Sequence, residues 1–297
     1  MSIQTYGSLF AGAGGIDIGL DSAGLQCKFQ VEWDSNCQET LKYHWPTAKL
    51  WGDISNVNGK DLVPVDLITF GSPCQDLSNA GKKVGLKGSR SNLFFEAIRV
   101  IKEMKESTGG EYPKIAIWEN VTGAMSSNGG DDFETVIKEM AGLGSYHLEW
   151  SVLDAQYFGV PQKRRRVFVI AILDPAIARR SPQQILPVEK SSKGNPKKGI
   201  KQENEDTKEL ASCLRSGGEG GVPSSRGENL VVDHKGVRRF TPIECERLMG
   251  WPTNHTLYRA DGKTNSDNTR YKMCGNGVVS PVIKWVVDQI KKNIERD

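Results

Sequence analysis

Residues 6–33 read YGSLFAGAGGIDIGLDSAGLQCKFQVEW. A short apolar run from Tyr6 to Phe10 ends on the glycine-rich turn Phe10-Ala11-Gly12-Ala13-Gly14-Gly15, which opens a helix candidate, and a second strand candidate follows at Cys27 to Trp33. Strand, glycine turn, helix, strand is how a doubly wound α/β sheet begins, and its first turn lets backbone approach a ligand closely at the carboxyl end of a strand.

The same alternation continues outward. Val65 to Phe70, Lys114 to Trp118, His147 to Leu153 and Arg166 to Ile172 are further strand candidates, several of them apolar almost throughout, as buried parallel strands are. Between them Asn92 to Glu106 sets Phe94, Ala97, Ile98 and Ile101 at helical spacing, and Asp132 to Ala141 reads as a second crossover helix. Strands separated by helices predict a parallel sheet with helices on both faces.

From Asp174 to Gly236 the texture changes to Pro, Gly, Ser, Lys and Asn, the mark of a loop-rich module or long insertion. A helix is predicted over Thr241 to Met249, started by Thr241-Pro242, then a polar loop to Asn268. The chain closes on Val279, Val282, Ile283, Val286, Val287, Ile290 and Ile294, an apolar stripe that must pack on something large. The expected organisation is a larger unit over 1–173, a smaller one over 174–268, and a segment 269–297 that returns to the first.

A chain of 297 residues with 37% hydrophobic content buries a normal core, which excludes general disorder. No run approaches the roughly 20 apolar residues of a membrane span, and the start MSIQTYGSLFAGAGG lacks a signal peptide's basic flank and apolar stretch. The expectation is an intracellular, cytoplasmic protein with no membrane partner. Its cysteines (27, 37, 74, 213, 245, 274) contain no CxxC pair and no close Cys/His grouping, so neither a disulfide framework nor a metal site is indicated. Charge is unevenly spread: Gly159 to Lys201 holds eleven Lys or Arg against Asp174 and Glu189. A basic segment on a mildly acidic body suggests a polyanion docking on one face; for Lys190 to Lys201 alone a solvated loop explains the charge equally well.

Candidate chemistry gathers at the predicted strand ends. Glu32 before Trp33 and Asp53 before Ile54 outline an adenosine-shaped pocket: one acid suits ribose hydroxyls, the other an exocyclic amine, and Trp33 and Ile54 offer faces to a ring. Gly71-Ser72-Pro73-Cys74-Gln75 follows a strand candidate directly, which places Cys74 where ligands bind. Cys27, Cys37, Cys213 and Cys245 read instead as inert structural thiols. Glu119-Asn120-Val121 ends the neighbouring strand candidate. A thiolate beside a carboxylic acid can attack an electron-poor ring while the acid protonates or hydrogen-bonds it, and a buried Glu119 with a raised pKa suits that donor role. In Gln162-Lys163-Arg164-Arg165-Arg166, strand alternation sends Arg164 and Arg166 to one face, where they can hold a phosphate or ring carbonyl.

These residues resemble the DNA (cytosine-5)-methyltransferases of bacterial and phage type, which use S-adenosylmethionine. The blocks that carry the resemblance span nearly the whole chain in the family's order: FAGAGG (10–15), EW (32–33), GDI (52–54), GSPCQDLS (71–78), SRSNLFFE (89–96), ENV (119–121), FGVPQKRRRVFVI (158–170), RRFTPIECERLMGWP (238–252) and YKMCGNGVVSPV (271–282). The resemblance implies a Rossmann-like methyltransferase sheet with a smaller, loop-rich target recognition domain, which clasps double-stranded DNA and flips one cytosine out of the stack. By position Cys74 is the nucleophile toward ring carbon 6, Glu119 engages the ring nitrogen and exocyclic amine, and Arg164 and Arg166 are pocket arginines. Phe10, Glu32, Trp33, Asp53, Ile54, Pro73, Leu93 and Asn276 match cofactor-contacting positions, with Ala11, Gly12, Gly14, Gly15 and Gly277 in the same motifs.

The implied protein is a monomer acting on a short duplex sequence, with a cognate restriction endonuclease as a candidate partner. Two departures stand out: Leu77-Ser78-Asn79-Ala80 where the family commonly has a Phe-Ser pair, and Gly277 where it usually has Ser or Ala. The tRNA-modifying relatives carry a Cys-Phe-Thr tripeptide that is absent here. A non-catalytic DNA-binding protein of this fold would be signalled by loss of Cys74 or Glu119, and both are present. A nucleotide-binding oxidoreductase would explain the glycine turn but not the PCQ, ENV or QKRRR blocks.

Overall fold

The computed structural model describes residues 2–72, 93–181, 184–186, 214, 230–233 and 236–294. Its main sheet has seven strands in the order β3-β2-β1-β4-β5-β7-β6. These are β1 (Thr5–Leu9), β2 (Gln26–Val31), β3 (Lys49–Trp51), β4 (Leu67–Phe70), β5 (Ile115–Val121), β6 (His147–Asp154) and β7 (Arg165–Ile172). All the strands anticipated in the sequence are present. The short β3 was anticipated only as a strand end at Asp53, without bounds, because KLW alternates over too few residues to delimit a strand.

The sheet is mixed, which corrects the parallel expectation. β1 to β5 are parallel, whereas β7 runs antiparallel to both β5 and β6. Only a short connection with one 3₁₀ turn, Ala155–Tyr157, separates β6 from β7, and parallel neighbours need a longer crossover, usually a helix. The inversion matters, because it brings the amino end of β7 to the carboxyl end of β5, pairing Val121 with Arg166 and Glu119 with Phe168.

Helices cover both faces. α3 (Leu93–Ser107) and α4 (Asp131–Ala141) bury Phe94, Ile98, Ile101, Met104, Val136 and Met140 on one face, with Trp118, Val167 and Val169 beneath them. On the other face lie α1 (Gly15–Ser22), α5 (Pro175–Arg180) and α8 (Ser280–Ile294). α8 carries the C-terminal apolar stripe, and Val282, Ile283, Val286, Val287, Ile290 and Ile294 are all buried against α1 and the sheet. Gly19 permits the approach, since a Cβ there would stand 2.0 Å from Ile283 Cγ2. α2 (Ser35–His44) starts at Asp34, whose side chain accepts from the Asn36 and Cys37 N–H groups.

α6 (Pro242–Leu248) begins with a full capping box between Thr241 and Glu244. α7 (Asp267–Asn276) begins where the predicted polar loop ends at Asn268 and was not itself anticipated; its polar, glycine-containing composition gave no apolar stripe to read. α6 and α7 are tied by a buried ion pair, Arg270 Nη2 to Glu246 Oε1 at 3.1 Å, and the Thr256 hydroxyl also binds that carboxylate. β8 (Leu230–Asp233) and β9 (Gly236–Arg239) form a separate two-stranded ribbon. Among the described residues no helix is long and apolar enough to cross a membrane.

Candidate active site

A cleft of about 990 Å³ opens at the carboxyl edge of the sheet, within the size range of small-molecule sites. Its walls come from the turn after β1, the end of β2, the ends of β4 and β5, the start of β7, and α7 with the residues after it. Chain ends and middle therefore meet in one cavity.

The first wall is the glycine-rich turn. β1 stops at Leu9 because Phe10 takes φ 57°, in the left-handed region where a non-glycine residue is strained. Gly12 has φ 57° as well, and a Cβ there would meet nothing within 4 Å, so its α-carbon faces open cleft. Its N–H donates to Glu32 Oε2 at 2.7 Å, and the Asp34 N–H donates to Glu32 Oε1 at 2.7 Å. Burial raises the Glu32 carboxyl above its ordinary pKa and these backbone bonds pull it back, so both oxygens are fixed in place at the rim. Trp33 beside it is 71% exposed, a bare ring face on the lining.

Not every predicted residue of this wall reaches the cleft. Gly14 and Gly15 are glycines for packing: a Cβ would stand 2.5 Å from the Trp45 ring in one case and 2.6 Å from Trp251 in the other. Asp53 turns its carboxylate onto the Ser55 N–H at 2.9 Å as the cap of its own 3₁₀ turn. Ile54 is buried in the core, and Ala11 and Leu93 also stand outside the cleft lining. Pro73 and Cys74 lie outside the described residues, as do Leu77 to Ala80.

The second wall is built on β5. Glu119 points into the cleft, 8% exposed, with Arg166 Nε 3.2 Å from its Oε1. That approach is an ion-pair distance without hydrogen-bond alignment, for Oε1 has no hydrogen-bond partner among the described residues. Burial pushes the Glu119 carboxyl upward, opposed by the positive charges of Arg166 and then Arg164. The result is a buried carboxyl whose Oε1, facing Arg166, makes no hydrogen bond among the described residues. Next to it Asn120 Nδ2 donates to the Ser72 carbonyl at 2.9 Å and Trp118 Nε1 to Ser72 Oγ at 3.3 Å. β5 thus fixes the turn from which the chain continues to Cys74.

Alternation at the start of β7 is as the sequence predicted: Gln162, Arg164 and Arg166 turn inward, Lys163 and Arg165 outward. The two inward arginines differ. Arg164, 2% exposed, donates to the carbonyls of Leu214 at 2.8 Å, Gly275 at 2.9 Å and Gly277 at 2.7 Å. Gln162 donates to the Leu248 carbonyl at 3.0 Å and accepts from the Leu214 N–H at 3.4 Å. Together they grip Leu214 by both backbone groups and hold the Gly275-Asn276-Gly277 stretch against the cleft.

The resemblance brought the block from Tyr271 back to this pocket, but neither Asn268 and Thr269 nor the helix that forms the opposite lip was read from the sequence. Asn268, Thr269, Lys272 and Met273 of α7 line the cleft, and Lys272 Nζ crosses to Asp34 Oδ2 at 3.0 Å. Behind the glycine turn His255, 2% exposed, places Nε2 2.6 Å from the Ala13 carbonyl and stacks on His44 with ring centroids 4.0 Å apart. Spacing alone offered no signal for these: α7 has no amphipathic stripe, and His44 and His255 are 211 residues apart. A Cβ on Gly277 would stand 2.4 Å from the Trp251 ring, so the indole fills the space that Ser or Ala would need.

The chain is similar to known proteins along nearly its whole length. The profile of the C-5 cytosine-specific DNA methylase family matches residues 5–216 and 188–292. Type II methyltransferase M.HhaI of Haemophilus parahaemolyticus is 28% identical over 96% of this chain and 94% of its own length. Type II methyltransferase M.BsuFI of Bacillus subtilis is 28% identical over 98% of this chain and 73% of its own. Among solved structures, the Dnmt2 methyltransferase of S. pombe superposes with a TM-score of 0.69 at 18% identity, covering 99% of this chain and all of that one. A putative DNA modification methyltransferase encoded within an E. coli prophage gives 0.64 at 19%, with 99% and 100% covered.

Proposed function

The chain belongs to the C-5 cytosine-specific DNA methylases and is a DNA cytosine-5-methyltransferase; from that premise we propose that it methylates one cytosine in a short duplex sequence, flipped into the cleft beside Glu119 and attacked by Cys74. The observation that carries the reading is the two-ended cleft: Phe10, Gly12, Glu32 and Trp33 at one end, Glu119 and Arg166 at the other.

The first end fits S-adenosylmethionine. Gly12 leaves open space where a side chain would block, the Glu32 carboxylate is set at the rim for ribose hydroxyls, and the exposed Trp33 ring offers a face to the adenine. Asn276 lies on the same lining, and Arg164 holds the glycines on either side of it. The cofactor supplies an electrophilic methyl group on a sulfonium centre.

At the second end the Cys74 thiolate adds to cytosine carbon 6, forming the S–C6 bond while the C5–C6 π electrons move to carbon 5. Glu119 donates a hydrogen bond or proton at ring nitrogen 3, which offsets the charge that addition delivers to the ring. Arg166, an ion-pair distance from Glu119, takes the ring carbonyl. Carbon 5 is then nucleophilic enough to accept the methyl group; loss of its proton and cleavage of S–C6 restore the ring and the thiolate. Arg164 supports this as a positioning group through Leu214, Gly275 and Gly277, while Asn120 orients the turn before Cys74.

The loop-rich segment after Asp174 is the recognition module, and its basic stretch meets the DNA backbone. The contacts of α6, His255 and Trp251 with the first unit support ending that module before Thr241 rather than at 268. The enzyme works as a cytoplasmic monomer, and its named relatives make a restriction endonuclease of the same sequence specificity a natural partner. Bisulfite sequencing of plasmid DNA from cells expressing the wild type and Cys74→Ala tests the whole reading: a single methylated motif with the wild type only is expected, and no mark in either refutes it.

A further inference from the structure

β6 reads HLEWSVLD, with Leu148 and Val152 packed toward α4 and Trp150 against Phe133 at 5.5 Å. Alternation sends Glu149 to the other face, where a charged residue on an edge strand ordinarily meets water. Instead its side chain is only 12% exposed. The chain that leaves α5 covers it: Glu149 Oε2 accepts the Ile185 N–H at 2.6 Å and Oε1 the Leu186 N–H at 3.0 Å, with His147 Nε2 3.4 Å from Oε2. Ile185 and Leu186 are each 1% exposed, and Asn293 of α8 donates to the Ile185 carbonyl at 3.4 Å.

A buried carboxylate is costly unless its oxygens are hydrogen-bonded, and two buried amides outside any helix or strand are costly unless accepted. Each requirement meets the other here. Apolar side chains alone would hold the position of this dipeptide; two successive N–H groups on one carboxylate also fix its rotation, and so the direction in which the chain moves on into the loop-rich segment.

We propose that Glu149 is a positioning residue for DNA recognition: it sets the root of the recognition module on the sheet. The inference rests on reading the segment after Asp174 as that module. Glu149 pairs in register with Ile170, several residues along β6 from the cleft edge, and is not part of the cleft lining, so its effect falls on DNA and not on cofactor. The grip of Gln162 and Arg164 on Leu214 holds the segment at a second point, from the residues that lead into β7.

The test compares wild type, Glu149→Gln and Glu149→Ala in steady-state methylation of a duplex carrying the wild-type motif and of single-mismatch duplexes, with S-adenosylmethionine binding and thermal melting measured in parallel. Glu149→Ala is expected to raise KM for the cognate duplex about tenfold, a loss of some 1.4 kcal/mol, and to narrow the cognate-to-mismatch ratio, with kcat and cofactor affinity near wild type. Glu149→Gln keeps one acceptor oxygen and should fall between; it also carries the test if the alanine variant does not fold. A lower melting temperature with unchanged KM and unchanged discrimination would mean a structural anchor only and would overturn the proposal. Absence of 5-methylcytosine with the wild type would sink the parent reading as well, which keeps the two failures distinct.

Discussion

Asn120 donates its side-chain amide to the backbone carbonyl of Ser72 across 2.9 Å, tying the end of β5 to the turn that follows β4. The residue after Glu119 thereby fixes the backbone two positions before Cys74. Asn120→Ala leaves a buried carbonyl unpaired, at about 1–3 kcal/mol. Expected is a lower kcat, by one to two orders of magnitude for a misplaced nucleophile (about tenfold per 1.4 kcal/mol), with cofactor affinity retained. Single-turnover methylation alongside S-adenosylmethionine binding measures both.

Glu119→Gln removes the proposed proton donor and leaves the shape. Because burial raises the Glu119 pKa, the wild-type carboxyl holds its proton to higher pH than an ordinary glutamate and loses it as pH rises through that value. The wild-type rate should therefore show a limb that falls with rising pH, and the Gln variant a slower rate without that limb. Identical pH–rate profiles would remove Glu119 from the proton-donor role.

Gly277→Ala drives a methyl group into the Trp251 ring, which is 4% exposed and hydrogen-bonded from Nε1 to the Val278 carbonyl at 3.0 Å. Overpacking of this kind costs about 1–3 kcal/mol. A lower melting temperature and weaker cofactor binding are expected, with partial recovery of both in the Gly277→Ala, Trp251→Phe double variant, read by a thermal shift series with and without S-adenosylmethionine.

His255 is neutral in the fold, its pKa pushed down to about 4 by burial and by His44. The unfolded chain binds a proton near pH 6.5 and the folded one does not, so this contribution is complete above about 6.5 and is lost as pH falls toward 4. Asp17, buried and pushed up to about 7, acts with the opposite sign over the overlapping range. The difference between wild type and His255→Gln isolates the histidine: the wild type should lose on the order of 1–3 kcal/mol relative to the variant between pH 6.5 and 4.5. Urea melts across that range would show it, and parallel curves would count against it.

Neutralising Lys190, Lys193, Lys197, Lys198 and Lys201 together should weaken DNA binding and flatten its dependence on salt, by about 0.9 in the log–log slope for each phosphate that is no longer neutralised. Fluorescence anisotropy of a labelled duplex over a salt series reads the slope. An unaltered slope assigns the stretch to solvated surface.

Much of the fold was legible because its strands are apolar runs between helical stripes: Ile115 to Trp118 and Val167 to Ile172 could hardly be anything else. The direction of β7 was not, because a hydrophobic pattern carries no sign; only the short link after β6 does. At the site, Glu119 and Arg166 were legible from strand ends and alternation. Arg164 was read as facing the pocket, and its side chain is spent on three carbonyls that only the folded chain brings near. Asp53 stands outside the cleft lining, and its Oδ1 caps its own turn, a local bond that the spacing did not show. The α7 lip and the His44–His255 stack depend on long-range packing for which local spacing holds no clue.

The packing of α8 on α1 bears on biosynthesis. A ribosome that has delivered β1 to β7 has released an α1 without the helix that packs on it at Gly19, and a cleft wall with no opposite lip. Both gaps close only when α7 and α8 emerge. Nascent chains are thus sticky and inert until late in translation, so premature termination should yield aggregates for proteolysis rather than a partial enzyme loose on the chromosome.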